Sequence, residues 1–187
     1  MRKTIVNTGI RVIPALLILF FPVSCTFNYG ESESSGDGIP NIVMENVDYV
    51  RVRSADPLAR VQAERFERYD KRNLMKVKGV IFEQYGERGE DVNVYGKAGD
   101  ATVYIDSGDI FMENHVSLKI NTENITLETN QLEWIDGQRT ISSGENDGVN
   151  IYKDDGTWFS GVGFKGSTRT RLWEFTRSIN GIYVHED

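Results

Sequence analysis

The sequence has a single cysteine and two histidines. Without a second cysteine the chain cannot form an internal disulfide bond, so its folded part must be stable through its own core. His115 and His185 have no cysteine or histidine at ligand spacing, which argues against a structural metal site. Asp154-Asp155-Gly156 lacks the further ligands of a calcium loop and is predicted to be a turn. Phosphate-binding, dinucleotide-binding and serine-hydrolase fingerprints are missing, so we expect neither a cofactor nor an enzyme.

Long hydrophobic runs are also missing. The longest apolar run, residues 12–21, follows a basic segment near the N-terminus. About ten residues at ~1.5 Å each cover roughly half of a ~30 Å hydrocarbon core, so a retained transmembrane anchor is the weaker alternative. A basic head, a short apolar core and the small residue Ser24 before Cys25 are typical of a secretory signal. We therefore predict that residues 1–24 are a signal peptide.

Cys25 ends the sequence Pro-Val-Ser-Cys, which resembles a lipobox, the motif at which bacterial lipoproteins are diacylated and then cleaved. Acyl chains, at ~0.8 kcal/mol for each buried CH₂, would hold the chain on a membrane surface. Residues 26–40 are rich in Gly, Ser and Glu and have no apolar period, which predicts a flexible tether with a reach of roughly 20 Å. We predict a lipidated cysteine and tether over residues 25–40 and a folded domain over residues 41–187.

The charge of the chain disfavours two classes of partner. The 21 Lys and Arg against 28 Asp and Glu give a net charge of −7. Loss of the predicted signal peptide would remove three basic residues and leave 18 against 28, a net charge of −10. A domain this acidic is a poor match for nucleic acid or for an anionic bilayer surface.

Downstream of the tether the sequence has the patterns of strands. Residues 41–53 are rich in β-branched and aromatic side chains, and residues 116–120 and 125–129 alternate strictly between apolar and polar. Turn signals rich in Gly and Asp recur along the chain, as in an antiparallel meander. Asn180-Gly181 lies between two apolar segments and predicts a hairpin turn. The fold is therefore predicted to be all-β.

Residues 56–70 leave two structures open. Pro57 suits the first position of a helix, and Arg60 and Glu64 form a favourable i,i+4 pair. The apolar residues of this segment fit a period of 3.6 about as well as a period of 2. Local propensity favours a helix, whereas the internal repeat favours a strand.

The internal repeat has a loose period of about 35 residues. Its three triplets, 80–82, 116–118 and 149–151, start 36 and 33 residues apart. Each triplet follows an aromatic residue and then an apolar one: Tyr69 and Leu74, Tyr104 and Ile110, Trp134 and Ile141. Such a repeat predicts a stack of paired strands, each unit burying its apolar face against the next.

Four segments carry a family resemblance: residues 99–104 (GDATVY), 108–118 (GDIFMENHVSL), 127–134 (LETNQLEW) and 159–164 (FSGVGF). Through them, residues 55–175 resemble the LptC family, the membrane-attached periplasmic component of lipopolysaccharide export. The resemblance implies a twisted antiparallel β-jellyroll, an open V-shaped β-sandwich built from stacked strand pairs. It also implies that the domain has no active site.

The resemblance further implies a role in glycolipid transfer. The domain would accept lipopolysaccharide from an inner-membrane ABC transporter with LptF- and LptG-like subunits and pass it to a soluble, LptA-like bridge protein. Its place would be the periplasmic face of the inner membrane, attached through Cys25, although the outer membrane stays open as a location. Family members commonly keep a transmembrane helix, so a lipobox-like cysteine is a departure from the family.

Acyl chains that cross water need an apolar trough, which a jellyroll lined by large apolar side chains would supply. The candidate lining residues are Phe82, Tyr104, Phe111, Val116, Leu118, Ile125, Leu127, Leu132, Trp134, Ile141, Val149, Ile151 and Phe164. The same residues could fill a closed core instead. The sequence leaves both possibilities open.

The resemblance also implies that both edges of the sheet bind partner strands by β-augmentation, the N-terminal edge at the transporter and the C-terminal edge at the bridge protein. The candidate edge residues are Ile42, Val43, Val47, Tyr49, Val52, Leu172, Trp173, Phe175, Ile182, Tyr183 and Val184. Two other hypotheses remain: a structural or adhesive outer-membrane lipoprotein with a filled core, and a bridge-type component of the same pathway.

Overall fold

A computed structural model describes residues 38–86 and 88–185. The predicted signal peptide, Cys25 and most of the predicted tether lie outside the described residues. The described chain forms ten strands: β1 Ile42–Arg53, β2 Asp56–Tyr69, β3 Leu74–Tyr85, β4 Val92–Tyr104, β5 Ile110–Ile120, β6 Ile125–Ile135, β7 Thr140–Ser142, β8 Gly148–Lys153, β9 Trp158–Ser167 and β10 Leu172–Ile182. A short 3-10 helix, Asp70–Arg72, joins β2 to β3. The predicted all-β fold is confirmed.

The strands form one antiparallel sheet in the order β1-β2-β3-β4-β5-β6-β7-β9-β10, and β8 pairs with β6 and β9. Strands β7 and β8 therefore occupy one position in the sheet, interrupted by residues 143–147. Because the order is linear and begins with β1 and ends with β10, the sheet is open at two edges. Apart from β7 and β8, consecutive strands are neighbours in the sheet, as the short Gly- and Asp-rich turns favour.

Residues 56–70, which the sequence left between helix and strand, form β2 and the start of the 3-10 helix. β2 pairs with β1 on one side and with β3 on the other, for example Val61 with both Tyr49 and Phe82. These two ladders satisfy the backbone groups of β2 and outweigh its local helix propensity. The strand expected from the repeat is therefore the correct alternative.

A crease crosses the sheet where the strands leave the ordinary extended conformation. Asn46 of β1, Gly79 of β3, Asn114 and His115 of β5 and Gly163 of β9 all have positive φ, between 52 and 72°. The pairing register shifts by one residue beside the two β5 positions, as in a β-bulge. The register of the pairings places these residues at the same level of the sheet, so the crease follows one line across it.

The crease also changes which face each side chain occupies. In β2, Val61 and Ala63 lie on the buried face on one side of the crease, and Phe66 lies on it on the other side. The step from 63 to 66 is odd, so the alternation of the strand shifts by one residue. The same shift separates Val80 from Val77 in β3, both of which are buried.

One predicted turn is wrong. Asn180-Gly181 lies inside β10, where Asn180 pairs with Ser160 and Gly181 pairs with Phe159. The glycine permits close packing rather than a turn, because a Cβ there would lie 2.4 Å from the carbonyl oxygen of Trp158. β9 is long enough to pair with the whole segment, so β10 continues to Ile182.

Candidate lipid-binding face and sheet edges

The inner face of the sheet is built from rows of residues that pair directly across neighbouring strands. On one side of the crease the row runs Tyr49, Val61, Phe82, Gly96, Leu118, Leu127, Ile151 and Phe159. On the other side it runs Met44, Phe66, Val77, Ala101, Met112 and Leu132. Side chains that pair directly across strands lie on the same face, so both rows form one continuous apolar surface.

The centre of this surface is closed. Leu132 and Val149 have no solvent-accessible surface, and Val116, Leu127 and Phe164 are each 2% exposed. Leu118, Ile125 and Ile151 are also buried in the same cluster. Eight of the predicted lining residues therefore form a packed core.

Three other predicted lining residues are partly buried. Phe82 and Ile141 pack against the core cluster. The Trp134 indole N–H donates a hydrogen bond to Asp136 Oδ1 at 3.3 Å, and the Arg139 guanidinium lies 5.7 Å from the centre of its ring. Trp134 pairs with Ile141 at the end of the inner face.

Two predicted lining residues do not lie on the inner face. Phe111 pairs with Thr102 and Glu133, so its side chain lies on the polar outer face, and Met112 takes the inward position. Tyr104 is 47% exposed. The alternation of β4 shifts by one residue at the crease. Tyr104 therefore lies on the outer face, whereas a regular strand would place it on the inner face.

The apolar surface becomes progressively more exposed toward β1. Val47, Val61 and Phe66 are partly buried against the core. Beyond them Met44 is 42% exposed and Tyr49 is 57% exposed. The sequence does not identify Val61 and Phe66 as lining residues because it leaves residues 56–70 between helix and strand, and it does not identify Met44, which pairs with Phe66. The signal that could have identified them is the pairing of β1 with β2.

Comparison with known families identifies the fold. The sequence matches the family model LptC, described as "Lipopolysaccharide-assembly, LptC-related", over residues 14–184. The chain belongs to the LptC-related family. The match extends through all ten strands, so the predicted resemblance is confirmed.

Comparison with solved structures supports the same fold. The crystal structure of LptH, the LptA homologous periplasmic component of the lipopolysaccharide transport device of Pseudomonas aeruginosa, superposes with a TM-score of 0.54 and 12% identity. The alignment covers 68% of this chain and 95% of the LptH chain. The LptC-related chain thus has the jellyroll-like β fold of LptH. A search of curated proteins finds no significant match.

The N-terminal edge of the LptC-related domain is β1, which pairs on one side with β2. Its register with β2 is regular from Ile42 to Arg51 and shifts before Val52. Of the predicted edge residues here, Ile42, Val43, Tyr49 and Val52 are exposed, whereas Val47 packs against the core. Unpaired backbone groups and exposed apolar side chains are the features of an edge that can accept another strand.

The C-terminal edge is β10. Leu172, Trp173 and Ile182 are exposed, and Phe175 lies half-buried with its ring 5.6 Å from that of Phe164. The register with β9 shifts between Arg177 and Ile179.

Tyr183 and Val184 follow the end of β10 and are exposed. The Val184 N–H donates a hydrogen bond to Thr157 Oγ1 at 3.0 Å. They extend the C-terminal edge without belonging to the strand.

Ion pairs lie on the outer face of β1 and β2. Arg60 Nη2 lies 2.6 Å from Asp48 Oδ2, and this hydrogen-bonded guanidinium lowers the pKa of Asp48. Glu67 accepts hydrogen bonds from the Tyr69 hydroxyl at 2.6 Å and from Arg65 Nε at 2.7 Å. These two donors, the tyrosine first, lower the pKa of Glu67. The outer face therefore carries these polar contacts beside a few apolar side chains such as Phe111.

Within residues 38–86 and 88–185, His, Cys, Asp and Glu form no cluster that could hold a metal ion. The same part of the chain contains no helix long and apolar enough to cross a membrane.

Proposed function

We propose that this protein is a membrane-anchored periplasmic module of lipopolysaccharide transport. It accepts the glycolipid from an inner-membrane ABC transporter and passes it to a soluble, LptA-like bridge protein. The observation that carries the proposal is the inner face, which is packed at Leu132 and Val149 and opens toward β1 at Met44 and Tyr49. Membership in the LptC-related family supports the same assignment.

The inner face suits acyl chains because burial of apolar surface contributes about 25 cal/mol per Å² without any directional contact. A chain lying along Met44, Phe66 and Tyr49 would cover side chains that are otherwise exposed to water. Transfer of this kind needs no bond to be made or broken, so the domain acts without catalytic residues. The energy comes from ATP hydrolysis in the transporter.

Each of the two open edges binds one partner of the transfer. β1 pairs with strands of the transporter's LptF- or LptG-like subunits, and β10 pairs with the bridge protein. Main-chain hydrogen bonds then continue the sheet from one protein into the next, which aligns their apolar faces. Cys25 carries the lipid anchor, so it localises the protein to the periplasmic face of the inner membrane while the edges make the contacts.

Site-specific photo-crosslinking in cells tests the proposal. The photoreactive analogue of phenylalanine replaces Phe82 on the inner face or, as a matched control, its neighbour Ile81 on the outer face. We expect lipopolysaccharide to be captured at position 82 and at Phe66, but not at position 81. Capture at position 81 alone, or at neither face, would refute lipid transfer.

A structural lipoprotein of the outer membrane with a filled core is the second candidate. The complete burial of Leu132 and Val149 favours it. It predicts no lipid capture at Phe82, fractionation with the outer membrane, and no co-purification with transporter subunits. The first candidate predicts the opposite result in each measurement.

A further inference from the structure

A third row of residues pairs across the inner face, next to the row that contains Phe82. It runs from β1 to β8 through Arg51, Ala59, Gln84, Val94, Ile120, Ile125 and Lys153. Its middle belongs to the apolar surface, since Ile125 is buried and Val94 and Ile120 pack against the core cluster. Directly paired side chains lie on one face, so the side chains at both ends of this row also lie on the inner face.

The side chains of this row become more exposed toward β1. Ala59 is half-buried, and Gln84 and Arg51 are exposed. The neighbouring row ends in the same way, since Tyr49 is 57% exposed. The opening of the inner face therefore extends to this end of the sheet, where its exposed side chains are polar.

Arg51 and Gln84 flank a small residue. Both pair directly with Ala59, Arg51 from β1 and Gln84 from β3. Their backbones are separated by two strand spacings, about 10 Å, and the methyl group of Ala59 is the side chain between them. We call Arg51, Ala59 and Gln84 the notch. A space of this width admits a small polar group such as a phosphate.

Irregularities of two strand ladders meet at the notch. The β1–β2 register shifts between Arg51 and Val52, where Leu58 is the extra residue. The β3–β4 register shifts directly after Gln84, where Asn93 is the extra residue. Bulges of this kind reorient side chains and are common beside functional sites. Regular pairing thus changes at the same level on both sides of Ala59.

The polar side chains of the notch are donors without acceptors. Within the described part of the chain, neither the Arg51 guanidinium nor the Gln84 amide makes a side-chain hydrogen bond or an ion pair. A guanidinium presents several N–H donors and no acceptor, and an amide nitrogen adds further donors. The notch therefore suits an anionic group, which accepts hydrogen bonds and carries the opposite charge.

The inner face carries charge of one sign. The chain has 28 acidic residues, yet the described rows that pair across the inner face contain none of them. Their charged residues are Arg51, Arg68 and Lys153. Arg68 forms an ion pair with Asp70, and Lys153 interacts electrostatically with Asp155. Arg51 is therefore the cation of this face that stays available to a ligand.

The acidic residues closest to this end lie outside the notch. Asp56 is the first residue of β2 and pairs with Arg53, and Glu90 and Asp91 lie in the β3–β4 turn. None of these carboxylates belongs to a residue that pairs with the notch, and none forms an ion pair with Arg51 in the described part of the chain. The charge of Arg51 is thus not neutralised by a neighbouring carboxylate.

An apolar surface begins beside the notch. The residues two positions away along β1, β2 and β3 are Tyr49, Val61 and Phe82, which pair with one another in the neighbouring row. From there the inner face leads to the buried core. A polar site at the exposed end and an apolar surface beyond it match the two parts of an amphiphile, a charged headgroup and acyl chains.

A ligand in the notch leaves both sheet edges free. Side chains stand roughly perpendicular to a sheet, so Arg51 does not cover the backbone groups of β1 that face a partner strand. The row continues to Lys153 in β8, two strands from β10. A headgroup that crosses from β1 toward β10 therefore stays at the same end of the sheet, which is compatible with a partner at each edge.

We propose that the notch binds the phosphate of an anionic acyl lipid whose chains lie along Tyr49, Val61 and Phe82. The Arg51 guanidinium donates charge-assisted hydrogen bonds to the phosphate oxygens, and the Gln84 amide donates to the headgroup from the other side. This inference rests on the lipid carriage included in the proposed function. It adds the class of lipid, one that bears a phosphate, and the orientation of that lipid on the inner face.

Photo-capture with defined lipids tests this proposal. The full-length protein, purified in a neutral detergent, carries the photoreactive analogue of phenylalanine at position 82. Dioctanoyl phosphatidic acid is the phosphate-bearing probe, and dioctanoylglycerol has the same chains without the phosphate. Mass spectrometry measures the captured fraction at increasing lipid concentration, which gives an apparent dissociation constant for each lipid.

We expect dioctanoyl phosphatidic acid to bind about tenfold more tightly than dioctanoylglycerol, the usual effect of a hydrogen bond to a charged group. Arg51→Gln should weaken the binding of phosphatidic acid about tenfold and leave that of dioctanoylglycerol unchanged. Arg169→Gln is the matched control, because it makes the same change of charge in the exposed β9–β10 turn at the opposite end of the sheet. It should change the binding of neither lipid.

The possible failures separate the notch from the proposed function. Equal binding of the two lipids to the protein with Arg51 refutes the notch and leaves lipid transfer standing. A preference for phosphatidic acid that survives Arg51→Gln, or that Arg169→Gln also abolishes, refutes the notch as well. Displacement of phosphatidic acid by excess glycerol 3-phosphate would show a site for free phosphate instead of a lipid headgroup. Capture of neither lipid refutes lipid carriage, and the notch with it.

Discussion

The ring of Phe82 on β3 lies over the backbone of Gly96 on β4, where a Cβ would come within 2.1 Å of Phe82 Cε1. The two residues pair directly across the strands. The absent side chain of the glycine thus makes room for the phenylalanine ring, which fills the inner face at this point. Phe175 covers Gly161 near the other edge in the same way, with the closest ring atom 2.4 Å from a Cβ position.

Gly96→Ala should displace the Phe82 ring and destabilise the domain by about 1–3 kcal/mol, the usual effect of overpacking. Urea unfolding followed by tryptophan fluorescence measures the change. Gly148→Ala is the matched control, because nothing lies within 4 Å of a Cβ at that position. Similar losses in both variants would contradict the packing argument.

Gly79→Ala should destabilise the domain by about 1–2 kcal/mol, because a residue with a Cβ is strained at the φ of +59° found there. The added Cβ would also approach the Glu64 side chain, at 2.6 Å from its Cγ. Repeating the substitution in a Glu64→Ala background removes that contact and leaves the backbone strain. If the loss of stability disappears in this background, the crease does not depend on backbone conformation at Gly79.

Leu132→Ala should cost about 2–5 kcal/mol, since it creates a cavity at a side chain with no exposed surface. Leu172→Ala, at an exposed edge position, should change the unfolding free energy by less than about 0.5 kcal/mol. Chemical denaturation of the two variants side by side measures the difference. A small effect at Leu132 would mean that the inner face is not packed at its centre.

The free energy of unfolding should fall at acidic pH because of Glu67. Hydrogen bonds from the Tyr69 hydroxyl and from Arg65 lower the pKa of Glu67 from its ordinary value of 4.5. A carboxylate with a lowered pKa in the folded state stabilises the protein above its unfolded pKa, and this stabilisation is lost as the pH falls through the folded pKa. Urea midpoints at pH 7, 5 and 3 should therefore converge for wild type and Glu67→Gln at low pH. Glu90→Gln, in an exposed turn, serves as the control. If the difference in urea midpoint between wild type and Glu67→Gln stays constant with pH, Glu67 is not the source of the pH dependence.

Cys25→Ala should release the protein from the membrane or mislocalise it, while the domain keeps its fold. The expectation follows from the division between an anchor at Cys25 and a domain that is stable through its own core. Membrane fractionation reports localisation, and circular dichroism of the purified variant reports the fold. A variant that fails to fold would show that the two parts are not independent.

Much of the strand content can be predicted because short segments keep a strict alternation of apolar and polar residues. The segments 116–120 and 125–129 alternate without a break, and both lie on one side of the crease in β5 and β6. Turn residues such as Ser107-Gly108 and Asp136-Gly137 occur where the chain reverses. These are local properties, and local sequence specifies them.

The errors come from places where a neighbouring strand sets the outcome. Residues 56–70 fit two periods because the crease shifts the alternation between Ala63 and Phe66. The sequence predicts an inward Tyr104 and is wrong for the same reason, since the alternation of β4 shifts near Gly99. The glycine at 181 resembles a hairpin residue, and only the backbone of Trp158 lying against it explains why it is part of a strand.

The sequence alone determined that the chain is all-β and LptC-like, because alternation, turn chemistry and family motifs are properties of short segments. The tertiary structure decided which apolar residues are buried and which meet water, because the crease changes the phase of each strand and burial depends on pairing. It also placed the turns at 70–73 and 168–171, nearly a hundred residues apart, at the same end of the sheet, because the strands alternate in direction.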